Sequence, residues 1–256
     1  MYREHVPPAA LAPYVDRLWT TEGGVAPIPR RVLPDGCIDV VIELAPEPAI
    51  ASARVVGTMT HALVVPAGSQ HRIVAVRFQP GAAARFLRVA ADELTDREPA
   101  LAALGLRLDL DPRDPLRSLV RWLLTRLATS PAPRTSPVAD HAIHRLVTAG
   151  PSLAELARET GWSRQWLARE CRRRVGIAPK QLGRIARLQR TIIALQTLAT
   201  RPRLPSHGLA ALAPAMGYFD QAHMAKDFRE LAGCTPRDAV SIFPIRSVYA
   251  APSSRS

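Results

Sequence analysis

The spacing of apolar positions changes character about halfway along the chain. In the first half, short β-branched runs predict strands over 14–21, 30–33, 38–44, 54–57 and 72–78. Pro34-Asp35-Gly36, Pro46, Gly68 and Pro80-Gly81 punctuate them. Residues 82–89 predict a short helix, and Leu116, Leu119, Val120, Leu123, Leu124 and Leu127 mark one helical face. After residue 137 no strand pattern remains. Helical periods run over 142–147, 153–160, 164–174, 180–198, 209–216 and 221–231. Between the halves, 128–137 holds three prolines with Ser and Thr and reads as an extended, stiff linker. The expected fold is an α+β chain of two domains. Residues 1–130 form a β-rich domain with a few helices, suited to sensing or dimerisation. Residues 131–248 form an all-α domain, and 249–256 a tail.

The helical half contains a repeat. Cys171-Arg172-Arg173-Arg174-Val175-Gly176-Ile177-Ala178-Pro179 aligns with Phe228-Arg229-Glu230-Leu231-Ala232-Gly233-Cys234-Thr235-Pro236 at an offset of 57. Leu156, Ala157 and Gly161 align with Leu212, Ala213 and Gly217 at an offset of 56. Each copy reads as helix, glycine turn, helix, glycine stop, proline restart. Ser152 and Glu155 form a capping box, and Ser163 and Asp220 are suitable N-caps for the second helix of each copy. Two short helices joined by a tight glycine turn are a helix-turn-helix. An ordinary helical hairpin is the simpler alternative, but its repetition favours two helix-turn-helix units. The helix 180–198 joins them. At ~1.5 Å per residue it would span ~29 Å, close to the ~34 Å between successive major-groove faces of B-DNA.

Charge supports a polyanion as partner. The formal net charge is +12. Residues 1–136 hold 16 basic and 14 acidic residues, whereas 137–256 hold 18 and 8. In a helix-turn-helix the second helix enters the major groove N-terminal end first. In the first copy, Leu167 and Cys171 are expected to face the core, and Arg164, Gln165, Ala168, Arg169 and Arg172 the DNA. Gln165 suits adenine and Arg169 suits guanine. Arg172, Arg173 and Arg174 come late in the helix, where phosphate contact is the expectation. In the second copy, Met224 and Phe228 take the core positions. Gln221, Ala222, His223, Lys226 and Arg229 are the candidate DNA contacts. Ala168 and Ala222 leave room for a thymine methyl.

Residues 217–236, Gly-Tyr-Phe-Asp-Gln-Ala-His-Met through Phe228-Arg229 to Gly233 and Thr235-Pro236, resemble the signature of AraC/XylS-type transcriptional regulators. Arg164-x-Trp166-Leu167-x-Arg169 through Gly176-Ile177-Ala178-Pro179 resembles the other helix-turn-helix of that family. The match covers about residues 140–243. It implies two DNA-binding units, a connecting helix, and gene control by recruiting or blocking RNA polymerase. Leu33-Pro34-Asp35-Gly36 and Val76-Arg77-Phe78-x-Pro80-Gly81 more loosely resemble a β-rich domain attached to many such regulators. Two residues depart from the pattern. Cys171 stands where an aromatic core residue is usual, and Pro214 falls inside the first helix of the second unit.

Asp35, Asp39, His61, His71, Cys37 and Arg77 can be assembled into a site on paper, but no catalytic or metal-binding spacing supports one. Pro34-Asp35-Gly36 reads as a tight turn. Arg77 alternates with Val76 and Phe78. It is therefore left to bind an acidic ligand, pair with Asp39 or face solvent. Three widely spaced cysteines suggest neither disulfides nor a zinc site. No apolar stretch is long enough to span a membrane and no secretory signal is evident, so the cytoplasm and nucleoid are expected. The expectation is therefore a one-component, sequence-specific regulator without cofactor or metal. It would act on double-stranded DNA as a monomer or homodimer, with a small-molecule effector as a further partner of the N-terminal domain. The competing readings are an enzyme with a nucleic-acid tether and a non-specific architectural protein.

Overall fold

The computed structural model describes residues 2–22, 30–45, 50–66, 72–130, 137–199 and 208–243. The prolines at 131, 133 and 46, His71, Gly68 and the 249–256 tail lie outside these. Among the described residues the N-terminal part has seven strands: β1 (Tyr2–His5), β2 (Val15–Thr21), β3 (Arg30–Val32), β4 (Asp39–Leu44), β5 (Ile50–Val56), β6 (Leu63–Val65) and β7 (Arg72–Phe78). Five form an antiparallel sheet in the order β1-β2-β7-β4-β5, and β3 pairs with β6 in a second. The expected strands are present. β1 and β6 were not foreseen, being only four and three residues long.

Side chains alternate across the sheet, so each face has its own chemistry. The register places Leu18, Val76, Val40 and Val55 in one row, and all are buried. They pack with Phe78 and Phe86 and with Leu119 and Leu123 of helix α2 (Pro115–Thr129). Phe78 and Phe86, the latter in the one-turn helix α1 (Ala84–Leu87), stack at 4.9 Å. Asp114 caps α2 by accepting from the Arg117 N–H at 3.2 Å. That helix extends to Thr129, so its backbone bonds occupy the first two residues assigned above to the linker.

The C-terminal part is helical: α3 (Pro137–Thr148), α4 (Leu153–Thr160), α5 (Arg164–Val175), α6 (Pro179–Ala199), α7 (Gly208–Ala215), α8 (Gln221–Ala232) and α9 (Pro236–Ile242). Helix α9 was not assigned from the sequence, although Pro236 marks its first turn. Thr235 and Asp238 close a capping box there. Helix α6 is the spine of this part. Leu182, Ile185, Leu188, Ile192 and Leu195 are buried along it and contribute to one core shared by both units. Leu33 and Cys37 of the N-terminal part belong to that same core.

Candidate nucleic-acid interface

The first unit follows directly from its caps. Ser152 accepts from the Glu155 N–H at 3.2 Å while Glu155 accepts from the Ser152 N–H at 2.7 Å, and together they start α4. Those bonds hold the Glu155 carboxyl below its usual range. Gly161, at φ +75°, ends the helix in the left-handed region that glycine tolerates. Ser163 then accepts from the Trp166 N–H and starts α5. Leu167, Cys171 and Val175 turn inward. Arg164, Gln165, Arg169, Arg172 and Arg173 are exposed, and Ala168 is half-buried.

One of the late arginines departs from the sequence expectation. Arg174 is only 6% exposed and pairs with Asp140 of α3, so it is a structural link rather than a phosphate contact. Arg173 is exposed but pairs with Glu170 at 2.7 Å. Arg172 has no ion pair among the described residues and keeps its charge outward. A small cavity of about 10 Å³ lies beside Cys171, lined by Ile143, Leu156 and Leu167. The short thiol leaves it where a larger side chain would reach further. Burial pushes that thiol up to about 12.

The second unit repeats this plan with different charges. Pro214 lies in the last turn of α7 on an exposed position. Its ring removes a donor, yet Met216 and Tyr218 still donate to Leu212 and Ala213. The helix closes around the proline without breaking, because so few bonds remain after it. Asp220 caps α8 by accepting from the His223 N–H at 2.7 Å. Met224, Phe228 and Leu231 are buried. Gln221, Ala222, Lys226 and Arg229 are exposed. His223 is half-buried; its Nδ1 accepts from the Phe219 N–H at 3.3 Å, and its Nε2 lies 3.4 Å from an Arg187 guanidinium nitrogen. It braces the turn more than it faces outward.

Asp227 is 2% exposed and pairs with Arg184 and Arg187 of α6, each at 2.7 Å. These contacts revise the role of α6. Helix α8 is fastened to the first half of α6, not to its far end. Arg190, farther along, donates to the Val147 carbonyl at the end of α3. The two units therefore pack along a common spine, and the length of α6 does not by itself set their separation.

Two residues were missed in the sequence reading. Phe219 is 89% exposed and Trp162 is 42% exposed. Each immediately precedes the N-cap of a reading helix, and the 57-residue offset makes them equivalent. Trp162 stacks on Trp166 at 4.2 Å. The repeat alignment carried the signal, since both turns place an aromatic beside the N-terminal end of the unit's second helix.

In the N-terminal part, Asp35, Cys37, Asp39 and Arg77 do come together. Arg17, Arg77 and Asp39 share a row on the sheet face opposite the apolar core. Arg77 pairs with Asp39 and Asp35, each at 3.1 Å. Burial outweighs the Arg77 attraction and raises the Asp39 carboxyl, and burial also pushes up the Cys37 thiol. His61 lies elsewhere, beside Thr60 and Asp96. Among the described residues, no group of three or more His, Cys, Asp or Glu is placed to hold a metal. No described helix is long and apolar enough to cross a membrane.

Two helix-turn-helix units on one helical spine define a DNA-binding module. Residues 156–240 match the helix-turn-helix domain family, and residues 3–99 match a domain of unknown function (DUF6597). Over residues 156–240 the chain is thus similar to helix-turn-helix domains of AraC type, a class found in DNA-binding transcription regulators. Among solved structures, the C-terminal domain of AraT, a response regulator from Geobacillus stearothermophilus, is 19% identical with a TM-score of 0.36. That match covers 48% of this chain and 96% of that C-terminal domain. ToxT from Vibrio cholerae is 12% identical with a TM-score of 0.42, covering 94% of this chain and 97% of ToxT's. A further ToxT structure, bound to (E)-4-(8-methylnaphthalen-1-yl)but-3-enoic acid, is 11% identical with the same coverage and TM-score. No curated protein matches the chain.

Proposed function

We propose that the chain is a one-component, sequence-specific transcription regulator whose α5 and α8 read a single duplex through two major-groove segments. The observation that carries this reading is the exposure of the first turns of the two helices. Both leave their N-terminal ends exposed, with Arg164, Gln165 and Arg169 on one and Gln221, Ala222 and Lys226 on the other. Arg169 is the principal base reader and Gln165 its neighbour, because both have donors matched to purine edges. Arg172, Arg173 and Arg229, late in their helices, address phosphates. Trp162 and Phe219 add apolar contact to sugars or thymine methyls beside the entering helix ends. The N-terminal part serves as the regulatory body, and the two parts divide near residue 130.

The test is binding to a random duplex pool followed by sequencing of the retained fragments, with unrelated duplex as competitor. The reading expects a recurrent motif that resists the competitor. Equal retention of all sequences would leave a non-specific architectural protein. A fragment spanning 131–248 should retain duplex binding at low salt if the division is placed correctly.

A further inference from the structure

We infer that the N-terminal part positions the two reading helices relative to each other, with Arg31 as the residue that holds the second. This rests on the DNA-reading assignment above. Helix C-termini leave carbonyls without partners, and they carry partial negative charge that favours cations. The carbonyls at the ends of both reading helices are satisfied from the N-terminal part. Arg31 of β3 donates to the Ala232 carbonyl at 3.2 Å and to the Gly233 carbonyl at the end of α8. Thr58 donates to the Val175 carbonyl at the end of α5, and Thr95 donates to the Gly176 carbonyl at 2.8 Å.

The approach is close at both stops. A Cβ on Gly233 would lie 2.9 Å from Arg31 Nη1, and one on Gly176 would lie 2.6 Å from Thr95 Oγ1. Both glycines also hold positive φ, +64° and +97°. The glycines that end the reading helices thus serve twice, as left-handed stops and as docking points.

The two grips belong to one rigid piece. Two residues beyond Arg31, Leu33 enters the helical core, and the Pro34 carbonyl accepts from Gln189 of α6 at 2.7 Å. A Cβ on Gly36 would meet Leu182 of α6 at 2.7 Å. Asp35 ties this turn to the central strand through Arg77. Cys37 leads into β4, where Asp39 pairs with Val56 of β5, two residues before Thr58. Thr58 is in turn joined to the Thr95 segment by the Asp96 N–H, which donates to the Thr58 carbonyl at 3.0 Å. Connected segments of the N-terminal part (β3 with its following turn, and the loops at Thr58 and Thr95) therefore hold α5, α6 and α8 together, and they meet α5 and α8 at the helix ends that point away from the entering ends. Such a body fixes the rotation between the reading helices, and hence the spacing of half-sites they accept. One base pair changes the relative facing of two half-sites by about a tenth of a turn, so spacing is a sensitive readout.

The experiment uses the full chain. Wild type, Arg31→Ala and Arg31→Lys are compared on duplexes whose half-sites, taken from the selected motif, are separated in single-base-pair steps. The wild type should favour one spacing by about tenfold over its neighbours, and Arg31→Ala should flatten this to below about threefold, with first-half-site preference unchanged. Arg31→Lys should restore part of the discrimination, because it keeps a cation at the helix end. Without DNA, spin labels at Arg158→Cys and Ala211→Cys, on α4 and α7, should give a broader distance distribution in Arg31→Ala. Should Arg31→Ala lose its cooperative melting, Thr95→Val at the other grip gives the same readings. Unchanged spacing preference and an unchanged label distance would overturn the inference while leaving DNA reading intact. Absence of duplex binding by the wild type would remove the DNA-reading assignment, and the label distances would then report on the clamp alone.

Discussion

The two helix-turn-helix units share a backbone plan and differ in where their charges point. Helix α5 turns Arg164, Arg169 and Arg172 toward solvent, and only Arg174 is drawn inside, to Asp140. Helix α8 turns Asp227 inside, and it draws Arg184 and Arg187 of the spine toward it. Glu230 meets Arg184 as well and lies 3.9 Å from Lys226. Formal charge counted along the sequence overstates the contrast, because Arg174 and Asp227 both leave the surface. The direction of the contrast survives. The first unit turns cations outward that have no ion pair among the described residues, while the second uses two of its three carboxylates, Asp227 and Glu230, to fasten itself to α6. Matching helix caps and glycine turns produce the same shape, and the placement of a few charged side chains decides what each unit contributes.

The largest expected effect tests the inward charge. Asp227→Ala leaves Arg187 without a carboxylate and Arg184 with Glu230 alone, at a site that is 2% exposed. Removing one partner of a buried pair costs about 3–5 kcal/mol, and the partly exposed arginines place this case near the lower end, ~3 kcal/mol. Urea denaturation should show that loss, and an unchanged midpoint would mean that the spine pairing is not structural. The next effect tests the outward charge. Arg169→Ala should cost ~1–3 kcal/mol on the selected site and relax one base pair, while Lys226→Ala should cost less than ~1 kcal/mol. Titration of the same duplex by both variants decides the order.

A finer contrast lies within α5. Arg172→Ala should weaken all duplexes alike and reduce the slope of log affinity against log salt by ~0.9, one phosphate's worth. Arg173→Ala should lower the slope by less, because Glu170 already offsets that charge. Equal slopes would mean that the Glu170 pair opens on the duplex. The smallest effect concerns the cap of α4. Ser152 holds the Glu155 carboxyl below its usual range, so the cap's contribution is present above the ordinary glutamate value. It fades as pH falls through the lowered one. Glu155→Gln should reduce the acid dependence of melting, and an unaltered profile would place that dependence elsewhere.

Much of the helical part was legible because its determinants are local. Caps at Ser152, Ser163 and Asp220, stops at Gly161, Gly176 and Gly233, and the apolar stripe of α6 each act within a few residues. The strands of the large sheet were legible for the same reason, apart from the four-residue β1. The long-range pairings were not. Arg174 with Asp140, Asp227 with Arg184 and Arg187, and Arg31 with the end of α8 join residues up to 202 positions apart. No spacing rule in one sequence encodes them. Pro34-Asp35-Gly36 shows both sides. Its turn follows from its residues, but its burial against Leu182 and Gln189 follows from the packing of the two halves.

If two unequal units on one spine contact one duplex, the motif they select is itself unequal. Duplexes selected by the wild-type protein and sequenced give the information in each half of that motif. One half should be sharply specified and lost in Arg169→Ala, and the other, about a helical turn away, degenerate and little altered in Lys226→Ala. Two equally sharp halves, or a motif more sensitive to Lys226→Ala than to Arg169→Ala, would contradict it.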